Sequence, residues 1–243
     1  MEILHAKSIS KVYKGKVPYK ALVDIDLSIQ EGEFVGIMGP SGSGKTTLLN
    51  MVSTIDSPTS GELLINGTNP FQLSSDSLAL FRRKQLGFVF QSFNLLSTLT
   101  VKENIVLPMT LDGVSVQEMN KRVEEIAEKL NIADILSKRT FEISGGQAQR
   151  TAIARAIVHK PQLLLADEPT GNLDSKSSND VMEMLDTLNK EEKATMMLVT
   201  HDPYAASSAL ELYLLKMVNY IMKYIVVKAG KPFIKRLWMS FLC

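Results

Sequence analysis

The chain has 243 residues, 45% of them apolar and 22% charged, ordinary proportions for a core-forming soluble protein of one domain, with or without a subdomain. A net charge of +1 excludes bulk attraction to nucleic acid. The single cysteine, Cys243, excludes a disulfide framework and thiol-based chemistry.

Residues 1–7 carry no signal-peptide pattern, and no stretch of about 18 uncharged apolar residues marks a membrane span. The nearest approach, 212–227, is interrupted by Lys216 and Lys223. A cytoplasmic protein is expected.

In chain order, Val23, Ile25, Leu27 and Ile29 alternate with polar residues and predict a half-buried strand. A turn at Glu31-Gly32 leads to 34–38, a short apolar run that suits a strand buried on both faces. A glycine-rich loop and a helix over 46–53 follow. Leu63 and Ile65 predict a strand closed by Asn66-Gly67, a hairpin signal. Residues 88–90 form a strand ending at Gln91. From 92 to 141 the pattern is helical, with a capping box at 115–118 and an apolar face of Val123, Ile126, Ala127 and Leu130. A helix over 146–160 is stopped by Pro161. Strands at 163–166 and 196–200 flank a helix marked by Val181, Leu185 and Leu188. Alternating strands and helices predict an α/β fold on a largely parallel sheet, with 92–141 inserted as a helical block.

The strongest local signal is Gly39-Pro40-Ser41-Gly42-Ser43-Gly44-Lys45-Thr46-Thr47. It matches G-x-x-x-x-G-K-[ST] between a predicted strand and a predicted helix, the context such a loop needs to cradle phosphates. Glycines let backbone N–H groups turn toward phosphate oxygens, and the helix N-terminus adds positive potential. Lys45 is then placed for the β- and γ-phosphates and the Thr46 hydroxyl for Mg²⁺. A second signal is the apolar run 163–166 ending in Asp167-Glu168. Asp167 suits the water shell of Mg²⁺, and Glu168 suits polarisation of an attacking water. A third is Ile143-Ser144-Gly145-Gly146-Gln147, where Ser144 can cap the following helix and the glycines expose its first amides.

With Ser144-Gly145-Gly146-Gln147 the sequence resembles the ATP-binding cassette (ABC) family, and the likeness extends over about 1–208. The resemblance implies a P-loop NTPase (RecA-like) α/β core with an antiparallel β subdomain and the helical subdomain 92–141. It implies ATP as substrate with Mg²⁺. Tyr13 then looks like the aromatic that stacks on adenine, and Gln91 like the glutamine coupling Mg²⁺ to the helical subdomain. Gly171-Asn172-Leu173-Asp174 resembles the loop that contacts a partner subunit, and His201 the histidine that senses the γ-phosphate. Ile143 stands where the family usually has leucine, a volume-conserving change. His5 and His159 have no motif around them and read as structural.

Stretches at 166–174 and 93–96 resemble the branch of lipoprotein-release, macrolide and peptide-resistance transporters. Those at 53–59 and 100–108 look most like bacitracin-type resistance subunits. The family arrangement implies two copies head to tail, each ATP held between the phosphate loop of one and 144–147 of the other. It also implies a separate membrane permease, no nucleic-acid partner, and a peripheral place on the cytoplasmic face of the membrane. Two other readings remain open: a soluble cassette ATPase acting on ribosomes or DNA, and an inactive remnant with a disrupted tail.

The tail departs from this pattern. No acidic residue follows Glu211, while six basic ones do, which leaves 21 basic against 26 acidic residues in 1–211, net −5. The family likeness stops near Ser207-Ser208, where a reading-frame shift is hypothesised. Met217-Val218, Met222-Lys223 and Trp238-Met239 force, in the frame beginning at third codon positions, an Asn/Asp-Gly pair, a Glu and an Asp. With suitable codons that frame supplies a strand, a Lys-Asp-Gly turn and a helix. A shifted tail should cost the sheet its last strands. The rival reading is a genuine tail whose apolar, basic stretch lies on an anionic membrane surface.

Overall fold

The computed structural model describes residues 1–209, 211–218 and 221–227. The chain opens with β1 (Glu2–Tyr13) and β2 (Tyr19–Gln30), an antiparallel pair. It continues through β3 (Phe34–Met38), α1 (Lys45–Val52) and β4 (Ser60–Ile65). Next come α2 (Ser75–Gln85), β5 (Leu86–Phe90), α3 (Val101–Leu111), α4 (Val116–Lys129), α5 (Gly145–Ile157) and β6 (Leu163–Asp167). The described chain closes with α6 (Ser175–Glu192), β7 (Met196–Thr200), α7 (Pro203–Ala206), β8 (Glu211–Val218) and β9 (Ile221–Val227). Among these residues no helix is long and apolar enough to cross a membrane.

Two sheets divide the strands. One is antiparallel, in the order β2-β1-β4; the other runs β5-β6-β7-β3-β8-β9, parallel throughout except for β9. The parallel strands are apolar without alternation because both their faces are covered. Leu163, Leu165, Met197 and Val199 face a core shared with α1 and the antiparallel sheet. Leu164, Ala166, Met196 and Leu198 face a second core built with α3, α4, α5 and α6. The strand ends that carry Met38, Asp167 and Thr200 lie side by side in register, Met38 opposite Thr200 and Asp167 opposite Val199. All three strands therefore deliver their following loops to one edge, where open α/β sheets bind ligands.

Three local expectations are modified. Asn66 and Gly67 take left-handed φ of 49° and 71°, as a tight hairpin turn requires, and Ile65 bridges Thr68. No return strand follows, because Pro70 starts a short 3₁₀ turn. Ser115 caps α4, but Glu118 turns to Arg122 at 2.7 Å, so only one half of the capping box forms. The sheet also keeps its last strands: β8 lies parallel to β3 and β9 antiparallel to β8. Ala209 and Tyr213 are buried, and the Tyr213 hydroxyl donates to Ser28 O at 3.4 Å. The strand loss expected of a shifted tail is therefore not found over 211–218 and 221–227. The terminal helix of the other frame falls on residues outside those described.

Candidate active site

The loop between β3 and α1 turns on glycines that need their special backbone. Gly42 and Gly44 have φ of 77° and 84°, and a Cβ on Gly44 would lie 2.8 Å from the Leu22 side chain and 2.9 Å from the Ala21 carbonyl. That close approach brings β2 against the start of α1. Lys45 is only 7% exposed and folds back over the loop, donating to the Gly39 and Pro40 carbonyls at 2.8 and 3.1 Å. Burial lowers its pKa, against the attraction of Glu168 and Asp167. Ser43 Oγ is buried with no hydrogen-bond partner among the described residues. A buried hydroxyl without a partner is costly unless a ligand completes it, which fits a phosphate group in this loop.

Beside the loop, β6 ends in the two carboxylates. Burial, then the neighbouring Glu168 charge, raises the pKa of Asp167, with Lys45 opposing. Glu168 sits at φ 44°, a left-handed conformation rare for a non-glycine residue, held by its N–H donating to Val199 O at 2.8 Å. Its carboxylate meets His201 Nδ1 at 2.8 Å. Loops after β6 and β7 thus converge on the phosphate loop. The result is an open cleft of ≈ 680 Å³ lined by Pro40, Ser41, Gly42, Ser43, Gly44, Lys45, Thr46, Thr47, Glu168, His201 and Tyr19.

The remaining expected residues do not line this cleft. Gln91, at the end of β5, is engaged with the 171–174 loop: its Nε2 donates to Asn172 Oδ1 at 3.2 Å, and Asn172 Nδ2 donates to Gln91 O at 3.1 Å. A Cβ on Gly171 would lie 2.6 Å from Gln91 Nε2, so glycine there makes room for the glutamine. Ser144 caps α5 in a full capping box with Gln147, at 2.9 and 3.3 Å. Ser144 and Gly145 are exposed, while Gly146 packs against Ser177 at the start of α6. The buried Gln149 donates to Pro169 O at 2.6 Å, which ties this helix to the loop after Glu168. Asp174 caps α6, accepting from the Lys176 and Ser177 amides, each at 3.0 Å, and from Ser177 Oγ at 2.7 Å. Those hydrogen bonds, led by the Ser177 amide, hold its pKa low.

Tyr13 also lies off the cleft lining. Its hydroxyl donates to Asp56 Oδ2 at 3.0 Å, while Tyr19, its paired position on β2, faces the cleft. Tyr19 was missed because an exposed tyrosine beside a turn has no motif. Burial opposes the charge of Asp56, but hydrogen bonds from Lys11 and Tyr13 outweigh it and hold the carboxyl below its ordinary pKa.

No group of three or more His, Cys, Asp or Glu among the described residues would hold a metal by itself. A hydroxyl at Thr46 and a carboxylate at Asp167 suit Mg²⁺, which takes one or two protein ligands and completes its shell with phosphate and water.

The family model described as "ABC transporter" matches residues 22–171. An ABC transporter ATP-binding protein of Bacillus subtilis, YxdL, is 59% identical over 214 residues, 88% of this chain and 83% of the relative. The bacitracin export ATP-binding protein BceA of Halalkalibacterium halodurans is 47% identical over 217 residues, 89% of this chain and 86% of the relative. Among solved structures, the dimeric post-hydrolysis state of the ATP-binding cassette MJ0796 bound to ADP and Pi superposes with a TM-score of 0.82 at 39% identity, covering 93% of this chain and all of that one. By sequence, fold and site, the chain belongs to the ABC transporter family, of which it is an ATP-binding and ATP-hydrolysing subunit.

Proposed function

We propose that this subunit powers the removal of a peptide antibiotic or related antimicrobial peptide through a separate membrane permease. The likeness to a protein named for bacitracin export supports the substrate class. The observation that carries the catalytic reading is the convergence of Lys45, Glu168 and His201 on one cleft. In this reading the chain is one cassette domain over 1–243, with 92–141 as its helical subdomain, placed peripherally on the cytoplasmic face of the membrane.

The phosphate loop, Gly39 to Thr47 in sequence, holds the triphosphate by backbone N–H groups. Lys45 exchanges its bonds to the Gly39 and Pro40 carbonyls for β- and γ-phosphate oxygens, a short movement within its present surroundings. Thr46 and Asp167 would hold Mg²⁺, which would neutralise charge on the transferred phosphoryl group. Glu168, fixed by its backbone and by His201, orients the attacking water and draws off its proton. His201 lies at the rim to sense the γ-phosphate. Gln91, which immediately precedes the helical block in sequence, ties its start to the loop after Glu168 through bonds with Asn172. Ser144, Gly145, Gly146 and Gln147 stand outside the cleft of their own chain, and the exposed Ser144 cap suits the nucleotide of a second, head-to-tail copy. Asp174 belongs to the same exposed surface.

A groove between α2, β5 and α3 supports the permease partner. Phe88 and Phe90 stack there with centroids 5.8 Å apart, beside Leu107 and the 61%-exposed Leu111. An exposed apolar groove adjoining Gln91 suits an apolar segment of a partner. Deleting the gene and challenging cells with bacitracin-type peptides tests the reading. Sensitivity rescued by the parental gene but not by Lys45→Ala supports it, and unchanged resistance refutes the substrate class.

A further inference from the structure

Lys11 is a buried lysine that the cleft does not use. It is 9% exposed, on β1. Its ammonium donates to Asp56 Oδ1 at 2.5 Å and to Ser57 O at 2.7 Å, and lies 5.1 Å from the centroid of the Tyr13 ring. The second oxygen of the same carboxylate accepts the Tyr13 hydroxyl at 3.0 Å. Asp56 is itself fixed to the end of α1: its N–H and that of Ile55 donate to Asn50 O at 3.0 and 2.9 Å. One carboxylate therefore ties an aromatic ring to the far end of the helix whose first residue is Lys45. Burying an ammonium is unfavourable unless it is paired, and holding a long side chain still costs entropy. Tyr19, at the paired position across the hairpin, has no such anchor among the described residues. The ammonium lies over one face of the Tyr13 ring, where a cation is attracted to the π-system, and the residue remains 39% exposed.

We propose that Lys11 and Asp56 are positioning residues that fix the Tyr13 ring as a preset platform for the nucleotide base. The proposal rests on the reading of Tyr13 as the adenine-stacking residue. A ring already held in place does not lose rotational freedom on binding, so the base-dependent part of affinity falls when the clamp is cut. Immobilising one such side chain corresponds to roughly three- to tenfold in affinity.

The test is equilibrium binding of ATP and of inorganic tripolyphosphate, which lacks a base, to the full chain. Tyr13→Phe keeps the ring and removes only the hydroxyl; Asp56→Asn removes the shared acceptor charge. Each is expected to weaken ATP roughly three- to tenfold and leave tripolyphosphate unchanged. The double variant should bind ATP no worse than either single one, because both cut the same link. If the singles bind ATP like the parent while Tyr13→Ala binds it weakly, the clamp is rejected and the platform reading stands. If Tyr13→Ala also binds ATP like the parent, the platform reading itself fails and takes the clamp with it. Equal losses for ATP and tripolyphosphate mark a general structural effect and overturn the proposal. Should Asp56→Asn not fold, the Tyr13→Phe comparison decides alone.

Discussion

Replacing Glu168 by glutamine tests the catalytic reading most directly. The amide keeps the size of the side chain and still offers a partner to His201, now 2.8 Å from the carboxylate. What it loses is the ability to take a proton. General-base contributions run to about 10²–10⁴ in rate, or about 3–5 kcal/mol of barrier, and a loss of that size is expected in turnover. Binding should survive, because Glu168 is a negative charge next to a site for phosphates. Its repulsion also helps raise the pKa of Asp167, so neutralising it relieves strain between the two carboxylates. The melting temperature should therefore hold or rise, which separates this variant from one that merely unfolds. Phosphate release under saturating Mg-ATP measures turnover, and equilibrium dialysis with ATP measures binding. Turnover within about threefold of the parent would refute the assignment, since a general base typically contributes about 10²–10⁴. Weakened ATP binding with normal turnover would equally contradict the electrostatic argument.

Gly87→Ala should destabilise the fold by about 1–3 kcal/mol by overpacking, since its Cβ would lie 2.3 Å from the Ala156 carbonyl; chemical denaturation checks it. Leu163→Ala, at a fully buried position, should cost about 2–5 kcal/mol in the same assay. Burial lowers the pKa of His159 despite the contact of its Nε2 with Leu86 O. Its neutral form therefore favours folding above the ordinary histidine pKa of about 6.5, and that contribution is lost as pH falls toward the lower folded value. Denaturation midpoints of His159→Gln should depend less on pH across that window, and an unchanged slope would refute the assignment. We infer that the residues after Ser207 are read in a shifted frame. The gene sequence decides this, with an open second frame expected, and stop codons in that frame identifying the tail as genuine.

What the sequence showed and hid has a physical pattern. β3 and β7 are found at 34–38 and 196–200, as read, because strands buried on both faces are unbroken apolar runs. β1 was not read. Its alternation is broken by register shifts between Glu2 and Leu4, Ala6 and Ile9, and around Lys11, with Ser8 at φ 49°. α2 was missed because none of its residues is fully buried and only Phe81 packs on the core, so its apolar stripe is weak, although Ser74 caps it. The phosphate loop and the carboxylates of β6 were legible because their geometry is local. The clamp on Tyr13 was not, since Lys11 and Asp56 lie 45 positions apart and meet only in the folded chain. A lysine on a strand reads as solvated until the fold supplies its carboxylate.

The tail brings the two kinds of evidence together. A parallel edge needs a backbone ladder, and residues 211–227 are rich in Leu, Ile, Val, Met and Tyr, which favour strands whatever their origin. The ladder with β3 is made of backbone groups, with Val35 opposite Glu211 and Met38 opposite Leu214. Tyr213 then reaches Ser28 on β2, joining the edge strand to the antiparallel sheet. The presence of β8 and β9 is thus compatible with a shifted frame and with a genuine tail. Strand formation follows composition and position, so the inference of a shifted frame rests on the Asn/Asp-Gly, Glu and Asp that the second frame is forced to encode and not on the strands. For the catalytic centre the distinction is secondary. Met38, Asp167 and Thr200, which end the strands around the cleft, are held by β3, β6 and β7, and among the described strands β8 pairs with that group at β3. Among the described residues after Ser207 none lines the cleft, so a change there acts on it through β3, which β8 pairs, and through β2, which Tyr213 contacts.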